Sequence, residues 1–230
     1  MHGRQSRTQG WRYTLSLPML LLLGLLGSAF TLPMSGTAST LTFTNFVHHS
    51  TPAVLWNVMI DDATANLFTV KVRIDPTSTM IGDILGLGFN VAPTYKALLT
   101  ASDIAGTQVT GTFQNTGSCG QGCNFHGVTP NTFDRLVRIG HQGTAGGLIT
   151  ATTFTIAPHG QTWDTSTFPM VGIRAQSVGL GPNGGGGSAK DTSSTRTLIT
   201  AVPEPSSTLL LALALGSMYA FVRRRSTRAV

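Results

Sequence analysis

The two cysteines of the chain lie close enough in sequence to react with each other. Cys119 and Cys123 are its only cysteines, and Gly-Gln-Gly separates them. Glycines allow the sharp turn that brings two sulfur atoms together, so an even pair at this spacing in an oxidising compartment predicts a disulfide. The alternatives are a reactive dithiol, which normally has two intervening residues, and a zinc site. Because His126 is the single histidine nearby, we favour the structural disulfide.

Aspartates and histidines are the other side chains that could support acid–base or metal chemistry. All eight acidic residues of 39–202 are aspartates, namely Asp61, Asp62, Asp75, Asp83, Asp103, Asp134, Asp164 and Asp191. A glycosidase needs two carboxylates across a cleft, and no spacing here favours such a pair, since Asp61-Asp62 is typical of a turn. The adjacent His48 and His49 would point to opposite faces of a strand. We therefore predict no catalytic residue, no metal and no cofactor.

Trp56 and Trp163 are the side chains that could stack against a sugar ring. Exposed indoles can form such platforms, whereas buried indoles pack in a core, and both interpretations remain open here. Trp163 follows a turn-rich stretch, which favours its exposure over that of Trp56. Residues 179–184 match the letters of a dinucleotide-binding fingerprint. The glycines that follow them cannot open a helix, so we predict no nucleotide site.

Short runs of alternating apolar and polar residues dominate the middle of the chain, as expected for half-buried strands. They lie at 41–43, 67–74, 109–113, 133–139, 150–156 and 168–178. This pattern predicts an all-β fold, a single β-sandwich, with a jelly roll as the alternative. We expect the sandwich at 39–187, and the last strand and a spacer at 188–201. Thr94–Ser102 hints at one helix, and the glycine-rich 179–194 suggests a flexible surface loop.

The formal net charge of +6 belongs to the two ends of the chain. Between residues 39 and 202, eight lysines and arginines balance the eight aspartates, so the middle is neutral. A domain that neutralises phosphates needs an excess of basic groups. We therefore expect no nucleic-acid partner.

Residues 1–38 have the layout of a secretory signal peptide. Three arginines precede an apolar run from Leu15 to Leu26, and small residues follow. A positive start, a short apolar stretch and a small-residue exit form the export pattern, and this run is shorter than the roughly 20 residues of a spanning helix. We expect cleavage after Ala38, with Ala29 as the alternative site. An uncleaved N-terminal anchor is the other interpretation.

The C-terminal end carries a short motif, an apolar stretch and a basic cluster. In order, these are Val202, Pro203, Glu204 and Pro205; an uncharged stretch at about 206–222; and a cluster at 223–228 that begins with Arg223, Arg224 and Arg225. The prolines keep the backbone extended, and the apolar stretch predicts a transmembrane helix. The arginines would act as a basic stop on the cytoplasmic side of the membrane.

These C-terminal features resemble the PEP-CTERM sorting signal of exported proteins in Gram-negative and related bacteria. The resemblance covers about residues 202–226. It implies recognition by an exosortase, a membrane-embedded processing enzyme, and an association with exopolysaccharide and biofilm. The alternative is a plain single-span anchor with an incidental Pro-Glu-Pro.

The middle of the chain resembles an uncharacterised β-rich domain of such exported proteins. The segments that carry this resemblance are 82–89, 133–134, 137–140 and 172–179. The resemblance implies no established activity.

Together these features predict a non-enzymatic exported protein. The general export machinery would carry it out, the C-terminal helix would hold it briefly at the inner membrane, and an exosortase-like enzyme would process it. It would then serve as a structural or adhesive component of the cell surface or of an extracellular exopolysaccharide matrix. A carbohydrate-binding module is the first alternative, and a hydrolase acting on matrix polysaccharide is the second.

Overall fold

The fold is described from a computed structural model of the chain. The structure describes residues 38–49, 53–64, 66–141, 147–159, 163–201 and 213–218. All of them belong to the compact unit Gly36–Val230. The other unit, Met1–Ser35, lies outside the described residues. The predicted signal peptide therefore also lies outside them, apart from its last residue, Ala38.

The described residues form two antiparallel sheets of six strands each. The first sheet has the order β12-β1-β3-β4-β9-β6, and the second has the order β2-β11-β10-β5-β8-β7. The strands are β1 (Ser39–Phe43), β2 (Val47–His48), β3 (Trp56–Thr64), β4 (Leu67–Ile74), β5 (Ile81–Asn90), β6 (Ile104–Ala105), β7 (Val109–Thr116), β8 (Phe133–Ile139), β9 (Ala151–Ile156), β10 (Met170–Gly179), β11 (Gly187–Ser193) and β12 (Arg196–Thr200).

One hydrophobic core lies between the two sheets. The first sheet contributes buried side chains such as Phe43, Val70 and Phe154, and the second contributes others such as Phe89 and Ile173. In β1 and β4 alternate residues are buried, which is the period-two pattern of a strand with one face on the core. The all-β prediction is confirmed, and the six predicted strand segments correspond to β1, β4, β7, β8, β9 and β10.

β5 is buried on both of its faces, because a second layer covers the outer face of the second sheet. This layer is the β7–β8 connection, residues 117–132, which places Cys119, Cys123 and Phe125 against the sheet. Glycines in the strands make room for it. A Cβ added to Gly86 would lie 2.7 Å from Cys123 Sγ, and one added to Gly88 would lie 2.6 Å from the Phe133 ring.

Two basic side chains on different strands donate hydrogen bonds to carbonyl oxygens of the β7–β8 connection. Arg138 on β8 donates from Nη1 to the carbonyl oxygens of Cys119 and Gln121, each at 2.9 Å. Lys190 on β11 donates from Nζ to the carbonyl oxygen of His126 at 2.7 Å. Burial, and then the charge of Arg174, lower the pKa of Lys190. The connection is thus held by charged hydrogen bonds as well as by apolar contact.

Three local predictions were wrong. The single helix expected at Thr94–Ser102 is replaced by two short 3-10 helices, Pro93–Tyr95 and Ala101–Asp103. The flexible loop expected at 179–194 contains β11, which pairs with β10 and buries Asp191. Asp61 and Asp62 do not form a turn but lie in β3, next to a register shift. For β11 and β3, strand pairing rather than local residue preference determines the backbone.

Residues 213–218 form a short exposed helical turn. Within the described part of the chain, no helix has the length and apolar character needed to cross a membrane. Most of the transmembrane helix predicted at about 206–222 lies outside the described residues.

We expect a side chain at the glycines beneath the β7–β8 connection to destabilise the domain. Gly88→Ala should lower the free energy of unfolding by about 1–3 kcal/mol, because the new methyl group overpacks against the buried Phe133 ring. Gly186→Ala is the matched control, since a Cβ there meets nothing within 4 Å, and its effect should stay within about 0.5 kcal/mol. Urea unfolding of the purified domain measures both. Equal effects would contradict the close packing of this layer.

Candidate functional site

The first and last strands of the sandwich are hydrogen-bonded neighbours. β12 pairs with β1 from Ser39↔Thr200 to Phe43↔Arg196. One residue beyond this ladder, the Ala201 amide donates to the carbonyl oxygen of Ala38 at 2.8 Å. Ala38 is the predicted last residue of the signal peptide, and Ala201 directly precedes Val202. The structure therefore places Ala38 beside Ala201, the residue before the sorting motif, at one edge of the first sheet.

A small polar cluster surrounds Ser39 at the start of β1. The Ser39 amide donates to Asp62 Oδ1 at 2.5 Å, and the Ser39 hydroxyl donates to Asp62 Oδ2 at 2.6 Å. The Ser39 and Thr165 hydroxyl oxygens lie 3.0 Å apart. Ser39 and Thr165 are buried, so Asp62 satisfies polar groups that water reaches poorly. Sequence reasoning missed this cluster, because no local signal links an aspartate of β3 to a serine 23 residues earlier.

The sorting residues themselves lie outside the described residues. These are Val202, Pro203, Glu204 and Pro205 of the motif and Arg223, Arg224 and Arg225 of the basic stop. The neighbouring β12 is described, and all five of its residues are exposed at the end of the first sheet. Two residues, Ala201 and Val202, separate its last residue, Thr200, from Pro203. The motif therefore follows the folded domain almost immediately.

Cys119 and Cys123 are joined by a disulfide in the structure. The Cys119 amide donates to the Cys123 carbonyl at 2.8 Å, so the bridge closes a tight turn within the β7–β8 connection. Both cysteines are fully buried. A reactive dithiol needs an accessible sulfur, so this placement fits a structural role. Among the described residues, no group of three or more histidine, cysteine or acidic side chains is placed to hold a metal ion.

Neither tryptophan presents a ring face that a sugar could use. Trp56 is 4% exposed and Trp163 is 7% exposed. The Trp163 ring lies 4.6 Å from Tyr95 and 6.5 Å from Phe68, centroid to centroid, inside the sandwich core. A stacking platform needs an open ring face. The predicted sugar-stacking role does not fit this burial, whereas core packing does.

Trp56 instead supports a buried carboxylate. Its Nε1 donates to Asp191 Oδ2 at 2.7 Å, across the gap between the two sheets. The His49 amide donates to Asp191 Oδ1 at 3.2 Å, and His48 Nδ1 lies 3.1 Å from Oδ2. Asp191 has no exposed surface. Because a buried carboxylate is costly unless it is hydrogen-bonded, these three groups make the Asp191 position possible and tie β2, β3 and β11 together.

The remaining aspartates also serve the fold. Each accepts a hydrogen bond or forms an ion pair with a nearby group, as follows: Asp61 with the Ala63 amide, Asp75 with Thr77, Asp83 with the Ile149 amide and Gln176, Asp103 with Thr100 and His159, Asp134 with the Val91 amide and Lys96, and Asp164 with Ser166. The Thr77 hydroxyl, followed by its amide, lowers the pKa of Asp75. All eight carboxylates of the domain, including Asp62 and Asp191, thus have structural partners.

Comparison with known proteins identifies the C-terminal segment. Residues 201–225 match the PEP-CTERM protein-sorting motif. This confirms the resemblance of the tail, and the motif marks an exported protein whose processing partner is an exosortase. No curated protein matches the chain. No solved structure matches it either. The resemblance of the middle to an uncharacterised β-rich domain stays a prediction.

We expect the indole N–H of Trp56 to contribute more to the free energy of unfolding than the indole N–H of Trp163 does. Trp56→Phe should lower the free energy of unfolding by about 1–3 kcal/mol more than Trp163→Phe, because it removes a donor to buried Asp191. Trp163→Phe is the matched control, since no described residue accepts a hydrogen bond from its Nε1. Urea unfolding of both variants measures the difference. A loss for Trp163→Phe as large as that for Trp56→Phe would contradict this assignment.

The disulfide should resist chemical modification in the folded protein. We expect Cys119 and Cys123 to show no alkylation in the folded protein or in urea without reductant, and two alkylated thiols after unfolding with a reductant, because both sulfurs are joined in the disulfide. Replacing both cysteines with serine should lower the free energy of unfolding by about 2 kcal/mol. Intact mass and urea unfolding provide the two readouts. Alkylation of the native protein without reductant would contradict the bridge.

Proposed function

We propose that the chain is an exported protein that matures by losing both of its ends. The general export machinery carries it out, a signal peptide over 1–38 is removed, and the C-terminal helix holds the sandwich at the inner membrane. An exosortase then cuts at the Pro203-Glu204-Pro205 motif and frees the domain for the cell surface or an exopolysaccharide matrix. The match of residues 201–225 to the PEP-CTERM motif is the observation that carries this proposal.

The positions of Ala38 and Ala201 support attachment of the domain to the membrane at both of its ends. Ala38 and Ala201 are joined by a hydrogen bond. The leader that precedes Ala38 and the tail that follows Ala201 are therefore attached to the domain at neighbouring residues. Both segments are apolar and both are expected to enter the same membrane. A domain whose two ends are both attached to the membrane can keep β1 and β12 paired, because Ala38 and Ala201 are already neighbours. The enzyme that acts at Pro203 must work within a few residues of the first sheet.

We propose a structural or adhesive role for the released sandwich, rather than a catalytic one. Support comes from the aspartates, each of which is engaged by the fold, as Asp62 is by Ser39 and Asp191 by Trp56. A hydrolase of the usual two-carboxylate type needs acids that face a substrate. A carbohydrate-binding module that uses Trp56 or Trp163 is also disfavoured, because both rings are buried.

Replacing the sorting motif should trap the protein at the membrane. In a bacterium that has a matching exosortase, the full chain with Pro203-Glu204-Pro205 changed to three alanines should keep its tail, because the enzyme no longer recognises it. The wild type should lose the tail and leave the inner membrane. Intact mass and cell fractionation measure both. In the matched control, Ser206-Ser207-Thr208 is changed to alanines, which leaves the motif and the apolar stretch in place, and processing should continue.

Retention of the tail by the wild type would overturn the sorting proposal and leave a permanently tethered domain. Loss of the tail from the triple-alanine variant would show that another feature directs the cut. Processing that fails in both variants but succeeds in the wild type would assign recognition to the wider segment around the motif.

A further inference from the structure

We propose that Asp62 is the receptor for the new amino terminus that signal-peptide removal creates at Ser39. This inference rests on the proposed export and on cleavage after Ala38. It goes beyond them because it assigns a binding partner to the cleaved end. The mature protein would then contain an ion pair between the Ser39 α-ammonium and the Asp62 carboxylate, which the precursor lacks.

The covalent step is a peptide hydrolysis. One water is consumed at the Ala38–Ser39 bond, which leaves a carboxylate on Ala38 and an amino group on Ser39. The amino group takes up a proton below its pKa, which is about 7.7–8.0 in an unstructured chain. The Ser39 nitrogen therefore changes from a neutral amide with one N–H to a cation with three.

The carboxylate already lies where this cation would form. Asp62 Oδ1 accepts from the Ser39 nitrogen at 2.5 Å, and Asp62 Oδ2 accepts from the Ser39 hydroxyl at 2.6 Å. Hydrolysis adds charge to this contact without requiring a strand to move. The Ser39 N–H already donates to a charged acceptor, and hydrolysis adds a positive charge to the donor, so cleavage should strengthen the attachment of β1 to β3.

The charged groups on the elements around this point carry both signs. The other charged groups on the elements that pack around Ser39 are Asp61 on β3, Asp164 at the start of the 3-10 helix Thr165–Thr167, and Arg196 on β12. Arg196 pairs with Phe43 at the opposite end of β1 and donates to the Ser166 and Phe168 carbonyl oxygens. Two acids are thus on nearby elements, and the one base binds carbonyl oxygens of the 3-10 helix and of the residue that follows it.

The expected pH dependence has a definite sign. Burial of Ser39 lowers the pKa of its amino group, and the carboxylate at hydrogen-bond distance raises it. We expect the carboxylate to dominate, so this pKa should be higher in the folded protein than in the unfolded one. Its contribution to stability is then fully present below about pH 7.7, the unfolded value, and is lost as the pH rises through the raised folded value. An opposite charge at hydrogen-bond distance typically moves a pKa by about one unit or more.

The test uses the full chain, exported and matured in a bacterium that has the matching exosortase. N-terminal sequencing establishes the first residue, and intact mass reports the C-terminal cut separately. The amino group of the mature protein is then acylated with limiting reagent from pH 6 to pH 10, and the N-terminal peptide is quantified. The midpoint of this profile is the readout. Burial of Ser39 slows acylation and lowers the midpoint, whereas the Asp62 carboxylate raises it, so an upward shift reports the carboxylate.

Wild type should begin at Ser39, with a midpoint about one pH unit above that of the same protein unfolded in urea. Asp62→Asn should bring the folded midpoint back to the unfolded value. Asp61→Asn is the matched control and should behave as wild type, since Asp61 accepts from the Ala63 amide instead. The wild-type comparison of folded with unfolded protein stands even if Asp62→Asn fails to fold.

Two results would overturn the inference. One is a first residue other than Ser39, whatever the C-terminal mass shows; a processed tail in that case would leave the sorting proposal intact. The other is a mature Ser39 whose midpoint is the same in folded and unfolded wild type, or the same in wild type and Asp62→Asn.

Discussion

β12 pairs with β1 along five residues, and this pairing determines where both ends of the domain leave the first sheet. The Ala38–Ala201 hydrogen bond extends the ladder by one residue beyond the strands. In an antiparallel pair, the start of one strand lies beside the end of the other. The first-to-last pairing therefore places the start and the end of the sandwich next to each other.

The second sheet shows how a domain of modest size can bury more of its chain. Its inner face packs on the first sheet, and its outer face is covered by the β7–β8 connection with its disulfide. Glycines at 86, 88 and 172 allow this second layer to approach the strands closely. These glycines lie within the segments 82–89 and 172–179, and packing gives a physical reason for their residue types. An activity is not needed to explain them.

Hydrogen-bonded carboxylates, buried at Asp191 and half-buried at Asp62, add side-chain links to those that strand pairing makes. Asp191 links β11 to Trp56 on β3 across the core, and Asp62 links β3 to the start of β1. Such groups are costly to bury without partners, so each one restricts the fold to arrangements in which the partner is present. Both acids accept hydrogen bonds from other parts of the fold, Asp191 from Trp56 and Asp62 from Ser39. This engagement is the physical basis for proposing a structural role for the domain.

The amino-acid sequence alone determined the fold class and the sorting signal, because both depend on residues that are near neighbours. Alternation in Phe68–Ile74 needs a comparison of residues two apart, and the 201–225 motif is read along one continuous segment. Only the tertiary structure decided that Ser39 meets Asp62, that Trp56 is buried against Asp191, and that β11 replaces an expected loop. These contacts depend on the order of the strands in the sheets. The sequence does not show this order, because a strand has the same period-two alternation whichever strand lies beside it.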